Sequence, residues 1–487
     1  MNKNSLLYKL MLICACICAA AMLAAFAGCQ KTGANAGGRL ASNICRIYEH
    51  DARKSHFMLN DIPIEGDVTG MAFMETSAEG RTSLAWVGTN LYFVSEKGID
   101  KLASGVDTAE ISFDGRVAVW LDAGQVKKYC VDDRSTTVLA EGVAKLVQCA
   151  ISPNSKTMIL DVIYDGDEEE TNVSLLCNEQ GVEEYSRSII CFAVSDDADI
   201  VYYYDGETRG FTVKQGDEVY LISKKLKGTS SYNFSRNLRE VTFDDSNDVN
   251  HLFCLDTKNV TDLGSGFGYT EKSDVFSIST ITYFTYINDI ESFRSGFWTA
   301  RTNVEDKYYT YSLGYIEDSG EIRWVVNDAA KTMVQPDQSR AVWKTSEGSL
   351  MSIEAKAGAS AVKLADNVAS FDSSADGSRV WYTDNGGMLY TVKGAGKSEQ
   401  IMSGVQTFAS IGDTCAVIGT SGRLYYVAGS KKTDVDGISG CVRFDKRAGM
   451  LIMYANESKA DDDTTVYDAY ISGDGKTFKL MYHGVEP

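Results

Sequence analysis

Short runs of β-branched and aromatic residues, each cut off by a glycine-bearing turn, recur along this chain and restrict it to one kind of architecture. Between Val368 and Val405 the runs Val368-Ala369-Ser370-Phe371, Val380-Trp381-Tyr382-Thr383 and Leu389-Tyr390-Thr391-Val392 are separated by Asp376-Gly377, Asn385-Gly386-Gly387 and Gly394-Ala395-Gly396. Asp-Gly and Asn-Gly supply the positive φ angles that tight hairpins require. The stretch therefore reads as a four-stranded antiparallel meander of about 40 residues. One such sheet cannot hide both of its faces, so copies must stack.

Three signatures mark the copies. A closing one runs Leu102-Ala103-Ser104-Gly105-Val106, Leu139-Ala140-Glu141-Gly142-Val143, Leu364-Ala365-Asp366-Asn367-Val368 and Ile401-Met402-Ser403-Gly404-Val405. Val106 and Val143 lie 37 residues apart, as do Val368 and Val405. Asn367 replaces the glycine because Asn tolerates left-handed backbone. A third-strand signature recurs as Asn90-Leu91-Tyr92-Phe93-Val94, Gly387-Met388-Leu389-Tyr390-Thr391-Val392 and Gly422-Arg423-Leu424-Tyr425-Tyr426-Val427. Its apolar residues fall on both faces, as in a sheet held between two neighbours.

The third signature sits between the first two strands: Ser112-Phe113-Asp114-Gly115-Arg116, Ser152-Pro153-Asn154-Ser155-Lys156, Gln335-Pro336-Asp337-Gln338-Ser339-Arg340 and Ser374-Ala375-Asp376-Gly377-Ser378-Arg379. It resembles the TolB-like, WD-type β-propeller repeat, Ser-Pro-Asp-Gly-Lys followed by a β run, although no copy is complete. The resemblance implies an all-β fold of four-stranded antiparallel blades around a channel. The repeat windows number about ten when 268–330 counts as one. With some windows merging, the expected architecture is a β-propeller of about eight blades in one ring; two smaller propellers in tandem are the alternative. The expected divisions are a signal peptide at 1–28, a flexible tether and transition at 29–62, and the propeller at 63–487.

Lys3 and Lys9 precede an apolar run from Leu10 to Phe26, followed by Ala27-Gly28-Cys29. A positive start, an apolar stretch and small residues form an export pattern. Phe26-Ala27-Gly28-Cys29 resembles the bacterial lipobox, which usually begins with Leu. That resemblance implies removal of the signal before Cys29 and a diacylglycerol on its thiol, a firm membrane anchor. It implies a bacterial cell-envelope location, on the outer face of the cytoplasmic membrane or, in a Gram-negative cell, exported to the outer membrane.

The formal net charge of −20 argues against nucleic acid and anionic lipid surfaces, which need a basic face. Of 12 cysteines, eight follow Cys29. Cys130 and Cys177 fall where other copies carry Ser95, Lys393 or Ala428, which reads as small filler; Cys415 and Cys441 remain candidates to pair across strands. His50 and His56 have no metal-ligand spacing around them, so no metal and no cofactor are expected. The acidic runs Asp165–Glu170 and Asp461–Asp463 read as solvated loop tips. The nucleophile-elbow, phosphate-loop and zinc-helix motifs are missing from the sequence.

Residues 268–330 break the rhythm and hold 13 aromatics in 63 positions, twice the 10% chain average. Tyr and Trp make rigid contact area with a polar tip, so Tyr286, Phe293, Phe297, Trp298, Tyr308 and Tyr309 form the candidate recognition surface. The plain reading is an enlarged repeat whose aromatics are strand core. The functional expectation is a non-catalytic, lipid-anchored, extracytoplasmic propeller that binds a protein, peptide or envelope glycan. The alternative is a glycan-active enzyme using channel-facing carboxylates.

Overall fold

The computed structural model describes residues 44–487 apart from 78, 107, 168–170, 227–230, 248, 266–283, 288–290, 305–307, 336–337, 375–376, 395 and 448. The described residues form nine sheets in tandem, six of them simple four-stranded meanders in chain order. The second sheet shows the pattern: Ala109–Ile111, Val117–Asp122, Gln125–Cys130 and Ser135–Glu141, with each strand antiparallel to the next. The left-handed position of the closing signature is present in all four copies, as at Gly142 (φ 68°) and Asn367 (φ 57°). There the amide of the following valine, Val143 or Val368, donates to the carbonyl of Gly124 or Gly348 in the hairpin of the second and third strands.

Three sheets depart from four strands: the fifth, the sixth and the ninth, which N-terminal strands extend to eight. The fifth gains Phe284–Ile287, parallel to its first strand Ser231–Phe234. The sixth has six strands. Its long strand Ile322–Val334 pairs with Tyr308–Ile316 through its first half and with Arg340–Thr345 from Ala329 onward. The register shift at Ala329/Lys331 marks where the last strand of one repeat runs straight into the first strand of the next. Two repeats are fused there, so nine sheets carry ten repeat units, more than the eight expected.

Packing links the units in order. Among the described residues eleven apolar clusters occur, and each joins two successive layers. Leu84 and Phe93 of the first sheet meet Trp120 and Tyr129 of the second; Val417 and Val427 of the eighth meet Trp381 and Leu389 of the seventh. Neighbouring sheets approach through their first strands: Val143–Ile151 touches Ile189–Val194, and Val405–Ile411 touches both Val368–Ser373 and Cys441–Arg447.

The segment read as tether and transition is, from Ile44 on, a packed hairpin of Ile44–Glu49 and Lys54–Leu59. It extends the ninth sheet through Tyr48↔Glu486 and Glu49↔Val485. Because side chains alternate across a strand, its two faces serve different neighbours. Ile44 and Phe57 pack on Ala85 and Val94 of the first sheet. Cys45, Ile47 and Met58 pack on Met450, Ile452, Ala469 and Ile471 of the ninth. Both faces are apolar, so no polar-apolar alternation advertised the hairpin in the sequence. The Gly28–Cys29 cleavage site and everything before Ile44 lie outside the described residues.

Candidate functional site

A fixed turn places the polar residues of the first strands. In seven units the residue at the signature serine position donates its amide to the carbonyl five residues on: Ser77, Ser112, Ser152, Ser195, Ser235, Gln335 and Ser374. The residue three positions on has positive φ, and is Gly in Gly80, Gly115 and Gly377 but Ser155, Ala198, Leu238 and Gln338 elsewhere. Aligned on this turn, the residues two positions before it are Glu75, Glu110, Ala150, Ala193, Asn233, Met333 and Asp372. Acidic groups thus recur at one level of the first strands.

First strands that stand at the end of a four-stranded sheet have one edge without a ladder partner in that sheet, and such groups need satisfaction. Side chains of the preceding sheet supply much of it. Asp161 accepts from the Cys191 amide at 2.6 Å, and Asp372 from the Ser410 amide at 2.7 Å. Lys331 donates to the Phe371 carbonyl and Lys344 to that of Ala369, each at 2.9 Å. In the turn before Gly296–Val304, Glu240 likewise accepts from the Phe293 amide at 2.7 Å. Burial pushes the Asp161 carboxyl up to about 7 against the hydrogen bonds that favour its charged form.

Glu75 and Glu110 occupy the level of Asp372 without its partners. Among the described residues neither carboxylate has a hydrogen bond or an ion pair. They sit on the first strands of adjoining sheets, Phe73–Thr76 and Ala109–Ile111. Burial pushes Glu75 up to about 7; Glu110 is raised well above the ordinary range by burial and by the charge of Glu75. Both side chains are nonetheless half-buried rather than sealed. Phe73, two residues before Glu75 and so on the same strand face, is 57% exposed. Two carboxyls whose proton affinity is raised in this way, beside an exposed ring, are able to donate and accept protons. At the turn end, Arg236 of the fifth sheet lies 5.5 Å over the Phe113 ring of the second and 3.9 Å from Glu79 of the first.

The aromatic candidates fare differently. Phe293, Phe297 and Trp298 are at most 5% exposed and belong to core clusters. They cannot form a recognition surface; their β propensity and area went into packing the fused repeat. Tyr286, Tyr308 and Tyr309 lie on strands Phe284–Ile287 and Tyr308–Ile316, and their side chains are outside the description, as is Cys29. All eight described cysteines are free thiols, Cys415 and Cys441 included. Burial raises Cys45 to about 12 and Cys441 to about 11, which suits inert filler. Among the described residues no cluster of three or more His, Cys, Asp or Glu could hold a metal. Asp462, read as a loop-tip acid, pairs with His50 at 3.1 Å, and Glu49 pairs with His56 at 2.9 Å.

No protein-family model matches the chain, and no curated protein matches it. Solved structures similar to it include an oligogalacturonate lyase from Vibrio parahaemolyticus (12% identity, TM-score 0.30, covering 74% of this chain and 95% of that one). Others are PorZ, a surface component of the type-IX secretion system of Porphyromonas gingivalis (9%, 0.32, 90% and 66%), and a eukaryotic initiation factor (9%, 0.36, 85% and 97%). Likeness this slight transfers no activity.

Proposed function

We propose that the chain is a lipid-anchored, extracytoplasmic binding protein whose ten repeat units and N-terminal hairpin close into one propeller-like ring, and whose ligand, a protein segment, peptide or envelope glycan, enters the hub. The observation that carries the reading is the unbroken circuit of eleven clusters. Each layer has a neighbour on both faces, and the hairpin stands between the first and last sheets. Two tandem rings would need a second closure between distant sheets; each cluster instead joins successive layers. In such a ring, approach through the first strands would put Glu75, Glu110, Lys331 and Lys446 on a polar central wall. The anchor rests on the Cys29 motif alone.

Two measurements test this. Small-angle scattering of the purified chain should give a disc-like particle; an elongated solenoid profile would remove the ring. Mass spectrometry of the N-terminal peptide from native membranes should find an acylated Cys29, and an unmodified thiol would remove the anchor.

A second reading is favoured by the Glu75–Glu110 pair alone: hydrolysis or elimination on a glycan, with the protonated member as acid and the other as base. Incubation with envelope polysaccharides would release reducing ends from wild type and not from Glu110→Gln. Equal release, or none from either, sets that reading aside.

A further inference from the structure

Lys331 and Lys344 lie directly opposite each other on adjacent antiparallel strands of the sixth sheet. Like charges in that relation repel. Among the described residues neither ammonium has a carboxylate partner. Each makes one hydrogen bond, to the carbonyls of Phe371 and Ala369, so an ammonium with three donors keeps two to spare in each case. The nearby acid is already committed: Asp372 takes Lys446 on both oxygens at 2.9 and 3.0 Å, and the same ammonium reaches Ser410 Oγ at 3.1 Å. Three lysines and one aspartate leave two positive charges in excess, inside a chain of net charge −20. Lys331 is exposed to water and lies 4.8 Å over the Phe371 ring. Its pKa is nevertheless lowered, first by the surrounding protein; the charge of Asp372 opposes that shift, and those of Lys446 and Lys344 add to it.

From this geometry we infer an oxyanion site between Lys331 and Lys344: a carboxylate, sulfate or phosphate group of a hub ligand would bridge the two ammonium groups and relieve their repulsion. Lys446 is the positioning residue, since by neutralising Asp372 it removes the charge that would repel the anion. The inference rests on the hub reading above.

Pyridoxal phosphate tests it, being an aldehyde that carries a phosphate and forms an imine with a lysine amine that borohydride fixes. The full chain is labelled natively and after denaturation, with and without inorganic phosphate, and each lysine is mapped by mass spectrometry. The expected result is that Lys331 or Lys344 reacts ahead of the ion-paired Lys127 and Lys258. Inorganic phosphate should slow that reaction about tenfold, as a lysine of lowered pKa in an anion site requires. Lys344→Gln should abolish the protection at Lys331 while raising the melting temperature in phosphate-free buffer, because one of two repelling charges is gone. Protection of every lysine alike, protection of none, or protection that survives Lys344→Gln overturns the site. The two readings fail differently. An elongated scattering profile removes the hub itself. A disc-like particle whose Lys331 labelling ignores phosphate leaves the hub and removes the anion.

Discussion

Phe57 and Met58 are sequence neighbours with opposite duties, and exchanging each for alanine tests the closure. Both are 0% exposed. Met58 belongs to the cluster of Met450, Ile452, Ala469 and Ile471, and Phe57 to that of Ala85 and Val94. Truncating a buried Met costs about 2–5 kcal/mol and a buried Phe about 3–5. At 1.4 kcal/mol per decade, even the lower figure of about 2 kcal/mol speeds sub-global hydrogen exchange roughly 30-fold. Met58→Ala should therefore raise exchange in Met450–Lys459 and Thr465–Ser472, at the other end of the chain. Phe57→Ala should raise it in Thr82–Val87 and Asn90–Ser95. Hydrogen exchange with mass spectrometry resolves these peptides. If both variants loosen the same peptides, or if Met58→Ala leaves 450–472 untouched while the hairpin alone melts, the hairpin is an appendage and the circuit argument fails.

The carboxyl pair predicts a pH profile. A carboxyl whose folded pKa is raised favours folding while protonated; that contribution is full below its unfolded pKa of about 4.3 and is lost as pH rises through about 7 for Glu75. The melting temperature should thus fall between pH 5 and 8, and Glu75→Gln should flatten the fall; an unchanged slope refutes the assignment. Native alkylation should reach the half-buried Cys130 first among the eight described thiols, with the buried seven reacting only in denaturant; rapid native labelling of Cys415 or Cys441 would show that their sheets open. Trp298→Ala should cost about 3–5 kcal/mol in urea unfolding as a core truncation, and a loss of ligand capture without loss of stability would return that residue to the surface.

Much of this architecture was legible because its turns are chemically demanding. Gly105, Gly142 and Gly404 sit where φ is positive, and the sequence spaces them regularly. The signature turns of the fourth and fifth sheets were harder to see, since Ala198 and Leu238 hold the same left-handed position at a cost of about 1 kcal/mol or more each. A reading tuned to Asp-Gly passes over Ser195 and Ser235; the commoner signal is a serine about five residues before a β run, present in six of the seven turns. The acidic level of Glu75, Glu110 and Asp372 became visible only once that shared turn fixed the alignment. The aromatic excess of 268–330 misled because ring area serves a core as well as a binding face. Phe297 and Trp298 are adjacent on one strand and pack to opposite sides of the fused repeat, a placement that composition does not encode.

The hairpin's position also sets a timetable for synthesis. Ile44–Leu59 leaves the ribosome early with two apolar faces, yet the strand it must join, Lys479–Glu486, follows some hundreds of residues later. At about 5–20 residues per second the wait is on the order of tens of seconds. Throughout that interval the nascent chain carries an unpaired sticky edge, so its rescue from aggregation depends on holdase chaperones or on rapid docking against the first sheet through Phe57.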